Sequence, residues 1–268
     1  MLKTRVYTSL VMVSLIAAVL FFLPPWCGIG LLAFILLMGA WEWAAFADCR
    51  SIGARSGYVL ATIVFAYATA KGLSIGNVPQ LLWVAVGWWV IAGIRLVYAP
   101  ARVSKSMTLV AGWLTLLPAL AAVVRLFIGT HRLSGAILFL ILVGLVAAAD
   151  IGAYFAGRQF GRLKLAPQVS PGKTWEGVIG GALLVTLVAY GVAVVFEFPR
   201  VSFVGLAGVV FVASVVGDLT ESLFKRGAGL KDSGFVLPGH GGILDRLDSL
   251  TAAAPFYVLG LGWMGILQ

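Results

Sequence analysis

The chain alternates between long apolar runs and short polar connections, a pattern typical of helices that cross a membrane. A membrane-spanning α-helix needs roughly 20 apolar residues to cross the hydrocarbon core. Such runs occur near residues 6–24, 26–47, 57–72, 79–98, 107–127, 133–155, 175–197, 201–224 and 249–267. We therefore predict an all-α, polytopic integral membrane protein with about nine transmembrane helices.

The first run follows a basic flank, Lys3 and Arg5, and in this respect it is similar to a secretory signal peptide. It ends at Pro24 and Pro25, where no small-residue cleavage site is present. We therefore interpret the run as a retained first helix.

The composition excludes most other classes of protein. Hydrophobic residues make up 61% of the chain, charged residues make up 11%, and the mean hydropathy is +1.05. Soluble domains carry about 25% charged residues, so this chain cannot cover its own surface with polar groups. The two cysteines, Cys27 and Cys49, provide no disulfide framework. A soluble enzyme, a secreted disulfide scaffold and a disordered protein are all excluded.

The distribution of positive charge predicts the orientation in the membrane. The net charge is +9, and a cytoplasmic N-terminus places fifteen of the 19 Lys and Arg residues on the cytoplasmic side. Cytoplasmic loops of membrane proteins carry an excess of Lys and Arg. We therefore expect a multi-pass protein of the cell membrane, with its N-terminus in the cytoplasm and its C-terminus on the opposite side.

The two halves of the chain differ in character. Residues 1–140 are mostly apolar, and we expect them to form a scaffold of membrane helices that faces lipid or a second subunit. Residues 141–268 contain two longer polar loops, 156–174 and 225–248, both predicted on the cytoplasmic side. We expect the chemistry in this second half, facing the cytoplasm.

Asp150 and Asp218 each end an apolar run. A carboxylate at the centre of a membrane costs about 2.5–3.5 kcal/mol on insertion scales, so such residues are usually functional. Asp150 has a simpler alternative, since pairing with an arginine could merely fix its packing. Asp218 has stronger support, because helical spacing places it on one face with Glu221, Ser222 and Lys225. We predict a polar site at this helix end.

The loop after this helix contains His240 between glycines, which allow the backbone to approach a ligand closely. Asp245 and Asp248 follow, and they share one face if a helix begins there. Helix capping is the alternative reading of these two aspartates. Carboxylate oxygens suit Mg²⁺, which binds through one or two carboxylates plus substrate phosphates. Softer metals are disfavoured, because His240 is the only nitrogen ligand nearby.

The other polar loop ends in Gly172-Lys173-Thr174, directly before a predicted helix. This is not a P-loop, because the upstream glycine position of that motif is Pro167. A helix N-terminus of this kind still offers amides, a cation and a hydroxyl to an anion. We expect Ser170, Lys173 and Thr174 to bind substrate.

Two weaker signals remain. Glu42 is an acid within an apolar run, and we retain it as a secondary candidate. Gly177 and Gly181 form one GxxxG pattern, which favours close packing of membrane helices.

The segment from Ser222 to Asp248 resembles the signature of the bacterial phosphatidate cytidylyltransferases, also called CDP-diacylglycerol synthases. Its matching positions are Ser222, Lys225-Arg226, Lys231-Asp232, Pro238, His240-Gly241-Gly242, Asp245-Arg246 and Asp248. Upstream, the same family resemblance extends to Asp150, Ala153-Tyr154, Gly157, Ser170-Pro171, Lys173-Thr174 and Glu176-Gly177.

This resemblance implies transfer of CMP from CTP to phosphatidic acid, with release of pyrophosphate and with one or two divalent metal ions. It implies a metal site at Asp218 and Asp245, and catalytic roles for these two, Lys225 and His240. His240 could donate to the pyrophosphate or orient Asp245. The substrate-binding residues expected are Asp150, Ser170, Lys173, Thr174, Ser222, Arg226, Lys231, Asp232, Arg246 and Asp248. Membrane lipids and a second copy of the chain are expected partners; nucleic acid is not.

Other functions fit the sequence less well. A transporter is expected to show midplane charges and inverted repeats, whereas the polar residues here crowd one side. A lipid-binding scaffold would not need the three aspartates of the second polar loop and its helix start, Asp232, Asp245 and Asp248. The nearest enzyme alternative is a CTP-dependent kinase of polyprenols or isoprenoid alcohols, which releases CDP and not pyrophosphate.

Overall fold

The computed structural model describes residues 14, 16, 18–72, 78–98, 103–128, 132–234, 236 and 241–267, and this part of the chain is mostly helical. Residues 18–22 are helical. The long helices that follow are α1 (Pro25–Phe46), α2 (Ile52–Gly72), α3 (Val78–Tyr98), α4 (Lys105–Ile128), α5 (Arg132–Phe160), α6 (Trp175–Val195), α7 (Arg200–Gly227) and α8 (Leu244–Trp263). The predicted helical architecture is therefore confirmed for the described residues.

Six of the described helices are long and apolar enough to cross a membrane, namely α1, α3, α4, α5, α6 and α7. Helices α2 and α8 have similar lengths, 21 and 20 residues, but their sequences are less apolar. The first predicted run, 6–24, lies largely outside the described residues. A polytopic membrane protein is supported, whereas nine spans and the orientation of the termini stay predictions.

The all-α prediction was incomplete, because the first polar loop folds into a hairpin. Strands β1 (Lys164–Ala166) and β2 (Ser170–Thr174) pair antiparallel, with Lys164 opposite Thr174 and Ala166 opposite Ser170. The prolines and glycines of this segment indicated a connection, but pairing between its two arms depends on where the flanking helices place them. The hairpin satisfies backbone hydrogen-bonding groups next to the membrane helices.

The two helices that carry the predicted site aspartates, Asp150 and Asp218, extend beyond their predicted ends. Helix α5 has 29 residues and α7 has 28, so each is roughly 42–44 Å long at 1.5 Å per residue. The hydrocarbon core is only about 30 Å thick, so both helices project beyond it. The two polar loops are correspondingly shorter than expected: residues 156–160 belong to α5, and 225–227 and 244–248 belong to α7 and α8.

Helices α5 and α6 approach each other most closely through glycines. A Cβ added to Gly152 of α5 would lie 2.5 Å from the Gly180 carbonyl oxygen and 2.9 Å from Gly181 Cα in α6. Gly177 similarly faces the Ala153 carbonyl oxygen. The GxxxG pattern of α6 therefore does mark a helix-packing face, as expected for small residues in membrane helices.

A second packed region holds α1 against the helix ends that carry the predicted site. Trp43 of α1 is buried, and its ring lies 5.2 Å from that of Phe224 in α7. Its indole N–H donates to the Thr108 carbonyl oxygen of α4 at 2.7 Å. Leu244, the first residue of α8, belongs to the same apolar cluster. The N-terminal half of the chain therefore contacts the C-terminal half directly at this place.

We predict that Gly152→Ala destabilises the protein, because the added methyl group would overlap the α6 backbone. Overpacking of this kind costs about 1–3 kcal/mol of unfolding free energy. Gly144→Ala is the matched control on the same helix, since its Cβ would meet nothing within 4 Å. Thermal unfolding of the purified variants in detergent measures the difference, and equal midpoints would contradict this packing.

Candidate active site

One face of α7 carries two carboxylates, a hydroxyl and an ammonium, as helical spacing predicted. Ser222 Oγ lies 3.5 Å from Asp218 Oδ1, and Lys225 Nζ lies 3.1 Å from Glu221 Oε1. Glu221 is 3% exposed and Lys225 is 8% exposed. Charges buried to this extent are tolerated only when they are paired. The Glu221–Lys225 pair therefore forms the buried centre of the cluster.

Lys225 also connects α7 to α8. Its ammonium donates to Asp245 Oδ1 at 2.5 Å, across 20 residues of sequence. Helix α8 begins at Leu244, so Asp245 lies in its first turn, where free backbone N–H groups favour negative charge. One buried cation thus joins carboxylates from two helices.

The segment before α8 holds the second oxygen of Asp245. The backbone N–H groups of Ser233 and Gly242 each donate to Asp245 Oδ2 at 2.9 Å. Burial raises the pKa of this carboxyl, but the hydrogen bonds from Lys225 and these N–H groups outweigh it and hold the pKa below its usual range. Asp245 precedes the predicted span 249–267, and it is ionised at neutral pH.

Helix α7 is also linked to the hairpin. The Lys173 ammonium in β2 forms an ion pair with Asp218 Oδ2, and each of the two side chains is about a quarter exposed. The next residue, Thr174, caps α6 by accepting the Gly177 N–H at 3.2 Å. The Gly172-Lys173-Thr174 segment is therefore the end of strand β2, which leads directly into α6 and directs its lysine toward the cluster.

A cavity of about 350 Å³ lies between α5, α6, α7, α8 and the hairpin. Part of its wall is apolar and includes Ala149, Val178 and Phe211. Its polar lining side chains are Asp150, Tyr154, Arg158, Lys173, Thr174, Ser214 and Ser249. The cavity therefore suits a ligand that has both an anionic group and an apolar part.

Two further predicted aspartates lie around this centre. Asp150 of α5 lines the cavity and is within electrostatic range of Asp218. Asp248, one turn after Asp245, is within electrostatic range of Asp218 and Glu221. Acidic groups from three helices are thus gathered in one region.

Other predicted residues lie outside the buried cluster. Arg226, Lys231 and Asp232 are exposed, and Arg226 donates to the Leu230 carbonyl oxygen at 3.4 Å. Ser170 begins β2 and does not line the cavity in the part of the chain that the structure describes.

Two predicted residues remain from the loop that enters α8. Arg246 is exposed in the first turn of α8 and is within electrostatic range of Asp150. His240 lies outside the described residues. Gly241 has φ +81°, and a Cβ there would lie 2.8 Å from Asp245 Oδ2. Glycine is therefore required beside the Asp245 carboxylate.

Carboxylate oxygens of the kind that Mg²⁺ prefers are present in this region. Among the described residues, no group of three or more His, Cys, Asp and Glu side chains is arranged to hold a metal ion. Glu221 is nevertheless within electrostatic range of both Asp218 and Asp245, so these carboxylates border one region. Mg²⁺ is typically bound by one or two carboxylates, with substrate phosphates and waters completing its shell.

Several residues of the region were missed by sequence reasoning. Ser214 and Ser249 line the cavity, and a signal for both exists: Ser214 lies one helical turn before Asp218, and Ser249 follows Asp248. Ser233 contacts Asp245 only because the chain folds back onto α8, so nothing in its local sequence indicates this contact.

The sequence of residues 3–263 matches the cytidylyltransferase family. The chain belongs to this family. A phosphatidate cytidylyltransferase of Haemophilus influenzae is 40% identical to this chain. The alignment covers 96% of this chain and 97% of that protein. The Pseudomonas aeruginosa protein of the same name is also 40% identical, with coverage of 98% and 99%. One from Thermotoga maritima is 33% identical, with coverage of 95% and 94%. The resemblance expected from the sequence is confirmed.

We predict that Lys225→Met strongly destabilises this cytidylyltransferase family member, because two carboxylates would then share a buried region without their cation. Removing one partner of a buried pair costs about 3–5 kcal/mol. Arg226→Met is the matched control for stability, because this neighbouring side chain is exposed and surface changes usually stay within about 0.5 kcal/mol. Unfolding midpoints in detergent test this, and similar losses in both variants would contradict it.

Proposed function

We propose that this protein is a phosphatidate cytidylyltransferase, which transfers CMP from CTP to phosphatidic acid and releases pyrophosphate. The observation that carries the proposal is the ion pair between Lys225 of α7 and Asp245 of α8, beside Glu221, which is within electrostatic range of both Asp218 and Asp245. These groups occur in a member of the cytidylyltransferase family. Relatives named phosphatidate cytidylyltransferase align with it along nearly the whole chain.

The positions of the charged groups suit one lipid substrate and one soluble substrate. Phosphatidic acid is confined to the bilayer, and CTP arrives from water, so the two must meet near a membrane surface. The cavity beside Asp150 has an apolar wall for the glycerolipid and Lys173 for its phosphate. The exposed Arg226, Lys231 and Arg246 are accessible to the nucleotide phosphates.

The proposed reaction is an in-line displacement at the α-phosphorus of CTP. A phosphate oxygen of phosphatidic acid forms a bond to the α-phosphorus. The bond between the α-phosphorus and the oxygen that bridges the α- and β-phosphates breaks. Pyrophosphate leaves with the bonding electrons. A phosphate monoester at neutral pH is already nucleophilic, so no general base is required. The main task of the protein is to position two anions and neutralise their repulsion.

The basic residues supply part of this neutralisation. The Lys173 ammonium is paired with Asp218, and the Lys225 ammonium is paired with Asp245. Phosphate oxygens compete for the same ammonium groups, so substrate binding would draw each lysine away from its carboxylate. Asp218 and Asp245 would then be available as metal ligands.

We propose that Asp218 and Asp245 bind Mg²⁺, as one or two ions. When bound, a divalent cation neutralises charge on phosphate oxygens and stabilises the leaving group. His240 is proposed to donate to the pyrophosphate or to orient Asp245. A homodimer and a site that faces the cytoplasm remain proposals that rest on the family resemblance and on the distribution of Lys and Arg.

We predict that Asp218→Asn and Asp245→Asn each lower lipid product formation about 100-fold or more, the loss typical for a group that stabilises transition-state charge. Purified variants in lipid micelles receive CTP, Mg²⁺ and phosphatidic acid, and product is counted as labelled lipid.

Asp48→Asn is the matched control. Asp48 is an exposed carboxylate paired with Arg50 and Lys105 at 2.6 and 2.7 Å. Its φ of +61° is well tolerated by asparagine. This variant should retain activity. Near wild-type turnover in either site variant, with correct folding, would overturn the metal assignment.

The destination of label from CTP separates the proposed reaction from the kinase alternative. Label in the α-phosphate should enter the lipid, and label in the γ-phosphate should leave in pyrophosphate. A CTP-dependent kinase would instead transfer the γ-label to its lipid alcohol and release CDP. Thin-layer chromatography of the two reactions with phosphatidic acid, and with a polyprenol as comparison, decides between them.

A further inference from the structure

Glu42 of α1 is a buried carboxylate that the proposed mechanism does not use. It is 2% exposed. Its oxygens accept hydrogen bonds from Ser233 Oγ at 3.0 Å, from Ile243 N at 3.0 Å and from Leu244 N at 2.9 Å. All three donors lie about 190–200 residues later in the chain. An acid of the N-terminal half thus enters the region that holds Asp245.

Two of these hydrogen bonds cap α8. The first N–H groups of a helix have no partner within the helix and favour negative charge. Ile243, at the N-cap position, makes no side-chain capping hydrogen bond of its own. Glu42 supplies this cap from another helix, so the start of α8 is fixed relative to α1.

The third hydrogen bond connects Glu42 to Asp245 through Ser233. Ser233 Oγ lies 3.0 Å from Glu42 Oε2 and 2.9 Å from Asp245 Oδ2, and it accepts the Asp245 N–H at 3.3 Å. A hydroxyl has a single hydrogen to donate. The two carboxylates therefore compete for one hydroxyl proton, and the orientation of Ser233 depends on Glu42.

Close packing restricts Glu42 to this arrangement. A Cβ on Gly234 would overlap the Glu42 carboxylate. A Cβ on Gly242 would lie 2.5 Å from Glu42 Oε2 and would also overlap Ser233 Oγ. Both glycines come from the segment that donates backbone N–H groups around Asp245. The Glu42 carboxylate consequently fills a space that this segment leaves for it.

We propose that Glu42 is a positioning residue, which acts through Ser233 and the N-terminus of α8 to orient the Asp245 carboxylate. The proposal rests on the function proposed above, in which Asp245 binds metal. Both Glu42 oxygens are occupied by protein donors and the side chain is buried, so the proposal places Glu42 behind Asp245 and not against the substrate. Its loss should lower turnover more than it weakens CTP binding.

The kinetic test compares Glu42→Ala, Glu42→Gln and Ser233→Ala with wild type. We expect Glu42→Ala to lower kcat about 10–100-fold, the range for groups that orient metal ligands, with a smaller change in KM for CTP. Glu42→Gln should lose less, because its amide oxygen can still accept the Leu244 N–H and the Ser233 hydroxyl. It should still lose some activity, because its amide nitrogen cannot accept the Ile243 N–H. The concentration of Mg²⁺ for half-maximal rate should rise in Glu42→Ala.

The matched control is Glu197→Gln. Glu197 is an exposed acid in the connection between α6 and α7, at the opposite end of α7 from Asp218, and this variant should match wild type. The double variant Glu42→Ala/Ser233→Ala shows whether the two residues act together. If Glu42 acts through Ser233, the double variant should lose little more than Glu42→Ala. The proposal would be overturned if the fold-loss of the double variant equalled the product of the two single losses. An unchanged kcat per folded protein in Glu42→Ala would also overturn it.

Hydrogen exchange provides a readout that does not depend on activity. Glu42→Ala should accelerate backbone exchange in residues 242–245, and Glu197→Gln should not. If wild-type protein forms no labelled lipid, the proposed function fails by itself. The link from Glu42 to Asp245 must then still appear in the exchange data, and unchanged exchange at residues 242–245 would overturn it.

Discussion

The structure of the site depends on one buried ammonium, that of Lys225, which Glu221 and Asp245 share. Removing the lysine would leave the two carboxyl groups without their cation, and removing them would leave a buried ammonium without a counter-charge. This mutual requirement fixes the spacing of α7 and α8 at their adjoining ends. Asp218 is held beside this centre by Lys173 from the hairpin. The groups proposed to act on phosphates are therefore also those that hold the helices together.

The surrounding elements each restrict one side of this centre. The hairpin directs Lys173 toward α7, and the glycine contact between α5 and α6 brings Asp150 close to it. Helix α1 closes the remaining side through Glu42 and Trp43. The division into a scaffold, 1–140, and a catalytic region, 141–268, stays a prediction, and α1 of the first part contacts the start of α8.

The accuracy of the sequence predictions follows from the range of the interactions involved. The α7 face was predicted because helical spacing alone places Asp218, Glu221 and Lys225 together. The helix start after Thr174 was predicted because Gly172-Lys173-Thr174 directly precedes an apolar run. A helix start near Asp245 was one of the possibilities that the sequence left open. The pairing of the hairpin was not predicted, because two short polar arms carry little periodicity.

By itself, the sequence determined the membrane class, the family and the identity of most charged groups in the site. Composition, local helical period and a motif within 27 residues are enough for these, and none of them requires distant parts of the chain to meet. Only the tertiary structure decided which carboxylate each lysine binds and which residue caps α8. Those pairings join residues 20 to about 200 positions apart. These pairings follow from how the helices pack, because a buried charge is costly unless the packing places an oppositely charged or hydrogen-bonding group beside it.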